Sequence, residues 1–327
     1  MPSSPSNLTN GMLVLNEGLF QQNNASLSFI DFNSLSVDNL FFENKTGRPL
    51  GDTGNDLQLY DGKIFVVMNV SSTLEILDAK TGSSIKQIQM VENGIPKQPR
   101  YITFSGSKAY ISCYDGFVDV LDLNSLSITN RIPVGPNPEQ LAVANNKLYV
   151  SNSGGLNFPD VDSTVSVISL SSETEMIKIT VGKNPGAIVS DSEGDLYIVC
   201  RGNFGNIPSR MHRISSVTDT KIESFTFDAE QICLANNDLF ISYKSGSTTK
   251  LLKFNTISET VSSNDFGNIS SIQTFYGMQY SASKNKLYCF DAQGYVNTGF
   301  VHEYGMNGSF IQKFNVGLIP NHILIYD

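Results

Sequence analysis

The side chains that most often perform catalysis or hold metals are few and scattered in this sequence. There are three histidines, His212, His302 and His322. His212 and His302 occupy the same place in a repeated segment, a position with no chemical demand, and a catalytic histidine needs a partner that tunes it. No G-x-S-x-G, H-E-x-x-H or phosphate-binding glycine loop occurs. We therefore predict a protein with no catalytic residues, no metal ligands and no cofactor.

Two further groups of candidate ligands receive the same interpretation. The segment Asp160–Asp162 could offer oxygens to Ca²⁺, but it lacks the spaced carboxylates and the glycine of a calcium loop, which favours a solvated acidic loop. The four cysteines, Cys113, Cys200, Cys233 and Cys289, lie in strand-like segments and are predicted to be buried free thiols. A Cys200–Cys233 disulfide between neighbouring repeats stays open as an alternative.

Composition narrows the classes of partner. The chain has 327 residues and a formal net charge of −9, with only 22 Lys+Arg. This charge argues against nucleic-acid binding, because such proteins need a basic surface. No apolar run is long enough to span a membrane, and the start MPSSPSNLTN lacks a basic segment followed by an apolar one. A methionine placed before a Pro/Ser/Asn-rich leader is what remains when an export signal has been removed, so we expect an exported protein whose signal segment is absent from this chain.

The elements that must position any site belong to an internal repeat. An apolar segment occurs seven times, and the large residue in its second place, which we call the central residue of the repeat, recurs at intervals of 39 to 52 positions. The copies are MLVLN, IFVVM, AYISC, LYVSN, LYIVC, LFISY and LYCFD, with central residues Leu13, Phe65, Tyr110, Tyr149, Tyr197, Phe240 and Tyr288. A period of this size made of short strands is typical of a propeller blade.

In each copy the apolar segment is strand B, an alternating segment follows as strand C, and a further short segment follows as strand D. A Gly/Asn/Pro turn then leads into strand A of the next copy, so that each copy has four antiparallel strands, A to D. The sequence therefore predicts an all-β, seven-bladed β-propeller over residues 11–327, with residues 1–10 as a tail. In blade 1 we expect strand B at Met12–Gly18, strand C at Ser26–Phe32 and strand D near Val37–Glu43. No segment before residue 11 resembles strand A of blade 1, and we expect the terminal segment NHILIYD to supply it. This pairing closes the ring and hides the sheet edges.

Candidate binding residues lie where the A strands begin and in the longer loops, which we expect at a channel mouth. Their types differ between blades although the framework repeats, which favours a binding site. The residues at the start of the A strands are Asn55, Arg100, Glu139, Gly186, Glu230, Tyr276 and Asn321, followed by Asp56, Tyr101, Gln140, Ala187, Gln231, Gly277 and His322. The loops add Phe20, Phe158, Phe204 and Tyr295 beside Arg48, Arg201 and Asp291. The predicted ligand-binding residues are Arg100, Tyr101, Glu139, Gln140, Arg201, Glu230, Tyr276, Asp291, Tyr295 and His322.

The blades, with their VG-x-x-P turns and LYV strands, resemble the YncE/surface-layer type of propeller over nearly the whole chain. Six stretches, NEGLFQQNNASLSFID, RPLGDTGNDLQL, KQPRYITF, PEQLAV, TFYGMQYS and GLIPNHILIYD, resemble the BtuG family. Members of that family are surface lipoproteins of Gram-negative anaerobes that capture vitamin B12 and related corrinoids and hand them to an outer-membrane transporter. The resemblance implies a lipid anchor upstream of residue 1. This chain has no tryptophan, so flat faces for a corrin ring must come from Phe and Tyr.

These observations predict a monomeric, non-enzymatic cell-surface protein that binds a corrinoid or similar ligand on the loop face. The alternative is a protein-interaction platform that docks a membrane transporter or an extracellular partner without a small molecule. A third hypothesis, a lyase or quinoprotein-like enzyme, requires a histidine paired with a carboxylate at the mouth. Only His322, near Glu139 or Glu230, could supply that pair.

Overall fold

A computed structural model describes residues 7–327 and consists almost entirely of short antiparallel strands. The first strands are β1 Gly11–Asn16, β2 Ser26–Asp31, β3 Val37–Asp38, β4 Gly54–Tyr60, β5 Lys63–Met68, β6 Thr73–Asp78, β7 Ser84–Gln89, β8 Val91–Glu92, β9 Ile95–Pro96 and β10 Pro99–Ser105. The middle of the chain forms β11 Lys108–Cys113, β12 Phe117–Asp122, β13 Ser127–Pro133, β14 Pro138–Ala144, β15 Lys147–Asn152, β16 Thr164–Ser169, β17 Thr174–Thr180, β18 Pro185–Ser190, β19 Asp195–Cys200 and β20 Arg210–Ser215. The last strands are β21 Thr220–Phe225, β22 Ala229–Ala235, β23 Asp238–Ser245, β24 Thr248–Asn255, β25 Thr260–Ser263, β26 Phe275–Ser281, β27 Lys286–Asp291, β28 Thr298–Gly305, β29 Phe310–Leu318 and β30 Pro320–Tyr326.

The strands form seven four-stranded sheets in the order A-B-C-D, and β8 and β9 add a two-stranded hairpin. The predicted fold class, an all-β seven-bladed β-propeller, is confirmed. Helical structure in residues 7–327 is limited to the α-helix α1, Phe41–Thr46, and two short 3-10 turns at Gly155–Asn157 and Gln293–Tyr295.

The chain divides into two compact units, each with its own apolar cores. The first unit comprises the described residues up to Pro99 together with Gly267–Asp327, and the second comprises Arg100–Phe266. The first unit contains β1 to β9 and β26 to β30, and the second contains β10, from its second residue, to β25.

The central B strands are the most buried elements, as the repeat predicts. The aromatic residues at the centre of the repeat are almost fully buried: Phe65, Tyr110, Tyr149, Tyr197, Phe240 and Tyr288. Burial of a whole aromatic side chain stabilises a core by about 1.5–3 kcal/mol. Since this position recurs in every blade, the repeat frame itself positions the loops at the ends of each strand.

The last strand completes the first blade, as the sequence predicts. In that sheet β30 lies beside β1, in the order β3-β2-β1-β30. Met12 faces Ile325 and Val14 faces Ile323 across the antiparallel pair. Ile323 is only 2% exposed. This pairing provides hydrogen-bond partners for the backbone N–H and C=O groups along the edge of β1, which would otherwise be unpaired.

The prediction for strand D of blade 1 is wrong in extent. Only Val37–Asp38 pairs with β2, and the following residues form α1 instead. Phe41 and Phe42 are both buried in one core, which a strand could not achieve because successive side chains face opposite ways. Gly47, in the left-handed region, ends the helix by donating its N–H to Glu43 O at 2.8 Å. Strands B and C of this blade also end earlier than predicted, at Asn16 and Asp31.

The predicted N-terminal tail covers residues 1–10, of which residues 1–6 lie outside the described part of the chain. Leu8 is buried in the core that also contains Phe41. Its backbone N–H donates to Lys80 O at 2.7 Å. No helix among the described residues is long and apolar enough to cross a membrane.

Candidate functional site

The second residue of every A strand occupies one recurring place, which we call the start position. The preceding turn repeats as well: Gln98, Asn137, Asn184 and Ile319 have left-handed backbone geometry and each precedes a proline. Proline suits the first residue of a strand because it has no N–H to donate. The start positions are Asn55, Arg100, Glu139, Gly186, Glu230, Tyr276 and Asn321.

A β-bulge lies at this place in blades 1, 2 and 4 to 7. In blade 2, for example, Gly54 faces Met68 and Asp56 faces Val67, so that Asn55 is the extra residue. The same shift follows the first residue of the A strand in the other blades. A bulge turns a side chain away from the regular pleat and is common next to binding sites. The fold thus provides a repeated backbone position whose side chain is free to vary.

A second recurring place lies at or just beyond the end of each B strand, at the same distance from the central residue of the repeat, and we call it the exit position. Its residues are Glu17, Asn69, Tyr114, Ser153, Arg201, Lys244 and Ala292. In several blades an exit residue contacts a start residue: Tyr114 and Arg201 both reach Glu139, Lys244 reaches Glu230 and Glu17 reaches Tyr276. Of these residues, Arg201 was predicted from the sequence, whereas Glu17 and Tyr114 were not predicted as site residues. The equal spacing of these residues from the repeat centre was the signal that could have found them.

In the second unit, Arg100 and Glu139 form the centre of the site. The Arg100 Nε–H and Nη2–H both donate to Glu139 Oε2, at 3.2 and 3.0 Å. The side chain of Glu139 is 3% exposed and that of Arg100 is 17% exposed. The Arg100 guanidinium also lies against the rings of Tyr114 and Tyr101, at 4.7 and 5.6 Å from their centres. A guanidinium that is stacked and paired in this way is held rigidly.

The electrostatics of this cluster keep Glu139 ionised. Burial alone raises the pKa of a carboxyl, but the charges of Arg100 and Arg201 hold the pKa of Glu139 below its ordinary value. The Tyr114 hydroxyl donates to Glu139 Oε1 at 2.6 Å. Burial in turn raises the pKa of Tyr114. The carboxylate therefore accepts hydrogen bonds on both oxygens and acts as a fixed negative centre, not as a proton carrier.

Arg201 approaches the same carboxylate from the exit position of the next blade. Its Nη1 lies 3.8 Å from Glu139 Oε1, and its side chain is 30% exposed. The guanidinium lies over Gly186, where an added Cβ would come within 2.8 Å of Arg201 Cζ. The glycine at this start position therefore leaves the space that Arg201 occupies.

Two other predicted residues of the second unit lie apart from this cluster. Gln140 Oε1 accepts the backbone N–H of Ile188 at 3.1 Å, a contact that joins the A strands of blades 4 and 5. Glu230 pairs with Lys244 at 3.5 Å, and both side chains are substantially exposed. A pair of this kind contributes little to stability, roughly 0–1 kcal/mol.

Exposed apolar side chains lie on two loops of the same unit. Phe158 and Phe204 are 57% and 74% exposed, and their ring centres are 6.3 Å apart. Leu156 and Ile207, on the same loops, are also exposed. Phe204 follows Arg201 by three residues, so the apolar loop and the charged cluster are joined by a short segment of chain.

In the first unit, the predicted residues Tyr276 and Tyr295 lie together. Their rings meet edge to face, with centres 5.8 Å apart. The Tyr276 hydroxyl donates a hydrogen bond to Glu17 Oε2. The Tyr295 side chain is 47% exposed. This arrangement presents an aromatic surface whose polar end is fixed by the carboxylate of Glu17.

His322 also lies in the first unit and is paired with a carboxylate, as the enzymatic hypothesis required, but the partner is Asp56 and not the predicted Glu139 or Glu230. His322 Nε2 is 3.3 Å from Asp56 Oδ1. Burial lowers the pKa of His322, and the charge of Asp56 offsets only part of this effect. The neighbouring Asn321 donates from Nδ2 to Gly54 O at 2.8 Å. The hydrogen bond of Asn321 joins two A strands within this unit.

Asp291 is buried and organises the loop that carries Tyr295. Its carboxylate accepts the backbone N–H groups of Gln273, Thr274 and Gln293, at 2.9 to 3.0 Å. A fourth hydrogen bond comes from Gln293 Nε2 at 2.6 Å. A ligand would reach Tyr295 and not Asp291. The loop residue Arg48 is likewise occupied, since its Nη2 donates to both oxygens of the buried Glu75 at 2.8 Å.

The two remaining histidines occupy equivalent C-strand positions, as predicted, and both are buried. His212 faces Ile198 and His302 faces Cys289. Burial lowers the pKa of His212 to about 4, and its Nδ1 is 2.9 Å from Ser224 Oγ. His302 Nε2 lies 3.8 Å from Asp291 Oδ2, and the imidazole ring neighbours the rings of Phe300 and Phe310.

The cysteines and the acidic loop complete the set of candidate ligands. All four cysteines are free and buried, as predicted, and the alternative Cys200–Cys233 disulfide is absent. Burial raises the pKa of the Cys200 thiol to about 12. Asp162 Oδ1 accepts a hydrogen bond from Thr164 at 2.8 Å. Within residues 7–327, no group of three or more His, Cys, Asp and Glu side chains is arranged to hold a metal.

The model of a protein family described as a domain of unknown function, DUF5074, matches residues 10–317. No curated protein matches the chain. Several solved structures do, all at low identity. A quinonprotein alcohol dehydrogenase-like protein from Bacteroides thetaiotaomicron is 14% identical, with a TM-score of 0.72 over 98% of this chain and 79% of that one. Hydrazine synthase of Kuenenia stuttgartiensis is 13% identical, with a TM-score of 0.66 over 79% and 84% of the two chains. The dihydro-heme d1 dehydrogenase NirN is 11% identical, with a TM-score of 0.61 over 99% and 78%. At these identities the likeness concerns the fold alone.

Proposed function

This chain belongs to the DUF5074 family, and we propose that it is a non-enzymatic binding protein that captures a corrinoid at the start and exit positions of its blades. One observation carries the proposal. The backbone at these positions repeats from blade to blade, whereas the side chains form distinct clusters: Arg100–Glu139–Tyr114 in the second unit and Tyr276–Glu17 in the first. Varied side chains on a repeated, rigid frame are typical of a recognition surface.

The chemistry of these clusters suits a large ligand with flat apolar faces and a polar rim. A corrin ring carries amide side chains around its edge, which both donate and accept hydrogen bonds. Within the second unit, Arg100 and Glu139 provide fixed polar groups and Tyr101 provides a ring face. Within the first unit, Tyr276 and Tyr295 provide ring faces and edges beside the carboxylate of Glu17. Aromatic residues with few rotatable bonds bind such ligands at a low cost in conformational entropy.

The resemblance to the BtuG family supports the same ligand. The stretches KQPRYITF, PEQLAV and TFYGMQYS contain Arg100, Glu139 and Tyr276, which are start positions in the structure. On this basis we extend the proposal to the cellular context. The protein is a monomer, exported and held at the outer surface by a lipid anchor upstream of residue 1, and it passes its ligand to an outer-membrane transporter.

Calorimetric titration of the purified chain with cyanocobalamin and with cobinamide tests the proposal. We expect saturable binding that weakens at least tenfold in Arg100→Ala when the second-unit cluster holds the ligand, or in Tyr276→Ala when the first-unit cluster holds it. Lys178→Ala is the matched control, because this side chain lies on the outer strand β17 and is 40% exposed. Circular dichroism on each variant separates loss of binding from loss of folding. Absence of binding of either corrinoid at high micromolar concentration would remove this ligand.

The exposed apolar loops favour a second candidate, a docking platform for a membrane transporter. Leu156, Phe158, Phe204 and Ile207 are 40 to 74% exposed on two loops of one unit, and such groups of apolar side chains commonly mark protein interfaces. A photo-crosslinking residue placed at Phe204 in cells of the native host should capture an outer-membrane protein. The same residue at Val217, which is 77% exposed in a turn, is the control. Equal capture at both positions would argue against docking through these loops.

A further inference from the structure

The cluster of Arg100, Glu139, Tyr114 and Arg201 in the second unit carries two positive charges and one negative charge. Arg100 and Arg201 share a single carboxylate, Glu139. The chain as a whole carries a formal net charge of −9, so a local excess of positive charge is unusual for this protein. An excess cation beside a buried carboxylate attracts anions from solution, because the low-dielectric protein on one side strengthens its field.

The hydrogen bonds of the cluster are shared unequally between the two arginines. Glu139 Oε2 is occupied by Arg100 and Oε1 by the Tyr114 hydroxyl. Arg201 Nη1 remains 3.8 Å from Oε1, beyond hydrogen-bond distance. Among the residues that the structure describes, no acceptor receives a hydrogen bond from the Arg201 guanidinium. Its five N–H donors therefore remain available on a side chain that is 30% exposed.

Gly186 fixes where those donors lie. The guanidinium of Arg201 rests over this glycine, and an added Cβ would come within 2.8 Å of both Cζ and Nη2. The other start positions of this unit carry arginine or glutamate. The glycine thus permits a planar guanidinium to lie across the start position of blade 5, in place of the side chain that this position lacks.

Apolar groups lie next to these donors along the chain. Arg201 opens the loop that carries the exposed Phe204, whose ring neighbours Phe158. A ligand that satisfies both features has a negatively charged oxygen group attached to an apolar or aromatic body. Planar guanidinium groups bind carboxylates and phosphates through two parallel hydrogen bonds.

We propose that Arg201, supported by Gly186 and by the Arg100–Glu139 pair, is a recognition site for an oxyanion group of an organic ligand. The inference rests on the proposed binding function of this cluster, but not on the ligand being a corrinoid. Carboxylate and phosphate share the required chemistry, and the experiment separates them. In a corrinoid with a nucleotide loop, the phosphodiester is the group that would occupy this site.

The direct test is a ¹H–¹⁵N NMR titration that observes the arginine Nε–H signals of the full chain. Phenyl phosphate and benzoate supply the two oxyanions, and benzyl alcohol supplies the same ring without a charge. Titration to about 10 mM covers a Kd of about 1 mM, which is a weak single-group interaction. The Arg201 signal is identified by its loss in Arg201→Gln. We expect one or both oxyanions to shift this signal, and benzyl alcohol to leave it unchanged.

Two variants locate the site. Binding by the variants is followed through the ring ¹H signals of the added ligands, which do not depend on the Arg201 signal, and Arg201→Gln should weaken oxyanion binding at least tenfold. Gly186→Ala keeps every charge but places a methyl group where the guanidinium lies, and should weaken binding at least threefold. Lys178→Gln removes one positive charge from the outer strand β17 and should have no effect, which excludes a response to net charge alone.

Some outcomes would overturn the inference. These are an Arg201 signal that neither oxyanion moves, equal binding of benzyl alcohol, or unchanged binding in Arg201→Gln. The result is separable from the corrinoid titration. Corrinoid binding without oxyanion binding would leave the proposed function and refute this site. Oxyanion binding without corrinoid binding would support this site and rule out a corrinoid as the ligand.

Discussion

Two N–H groups of Arg100 converge on one carboxylate oxygen of Glu139, at 3.2 and 3.0 Å, and so join the first strands of blades 3 and 4. Both residues occupy the start position of their blades. The pair therefore combines two roles, because it connects adjacent blades and also sets the charge that faces a ligand. The second role is tested by the titrations above, and the first leads to measurable changes in stability.

Glu139→Gln should destabilise the protein by about 3 kcal/mol, because it leaves the guanidinium of Arg100 largely buried without its counter-charge. The measurement is urea unfolding followed by circular dichroism. Glu230→Gln is the matched control, since Glu230 has the same start position but is exposed and pairs with Lys244 at 3.5 Å. That control should cost less than about 1 kcal/mol. Equal effects of the two changes would show that the Arg100–Glu139 pair has no special role.

The stabilisation from Glu139 should disappear in acid. Its pKa in the folded protein lies below its ordinary value of 4.5, so the folded state binds fewer protons than the unfolded state. The contribution is therefore complete above pH 4.5 and is lost as the pH falls through the lowered pKa. The difference in unfolding free energy between the parent and Glu139→Gln should stay constant from pH 7 to about 5.5 and shrink below pH 4.5. A difference that persists unchanged at pH 3 would contradict this assignment.

His212 should make the second unit sensitive to mild acid. Burial lowers its pKa from 6.5 to about 4, so unfolding takes up a proton between these values. The corresponding stability is present above pH 6.5 and is lost as the pH falls toward 4, by about 3 kcal/mol in total. His212→Gln should abolish this dependence in thermal melts recorded between pH 7 and 4. Ser224→Ala, which removes only the hydroxyl partner of His212, should retain it, and an identical slope in all three proteins would refute the prediction.

Strand β30 should be required for a soluble monomer. Removal of residues 320–327 exposes the edge of β1, whose residues are all buried, and an unpaired edge promotes association. Size-exclusion chromatography should show oligomers or aggregates, whereas removal of Asp327 alone should leave a monomer. Within the strand, Ile323→Ala should cost about 3 kcal/mol. Ile311→Ala, at a side chain 41% exposed, should cost less than about 1 kcal/mol.

The repeat made much of this fold predictable. The central aromatic residue of each B strand, such as Tyr149 or Tyr197, recurs because every blade buries the same position. The same periodicity identified the start positions, and it assigned the last strand to the first blade. The extent of strand D in blade 1 was predicted wrongly because Phe41 and Phe42 can both be buried in one core only when the backbone is helical. Local alternation carries no information about that core.

The sequence by itself determined the number of blades, the strand order and which residues stand at the start of each A strand, because these follow from a pattern that is repeated along the chain. Only the tertiary structure decided which of those residues act together. Arg100 and Glu139, 39 positions apart, meet through the packing of adjacent blades, and His322 meets Asp56 instead of Glu139. The equal spacing of Tyr114 and Glu17 from the repeat centre is visible in the sequence, but the residues that they contact are seen only in the structure. Such contacts depend on bulges and side-chain directions that bring distant segments together, and no local pattern encodes them.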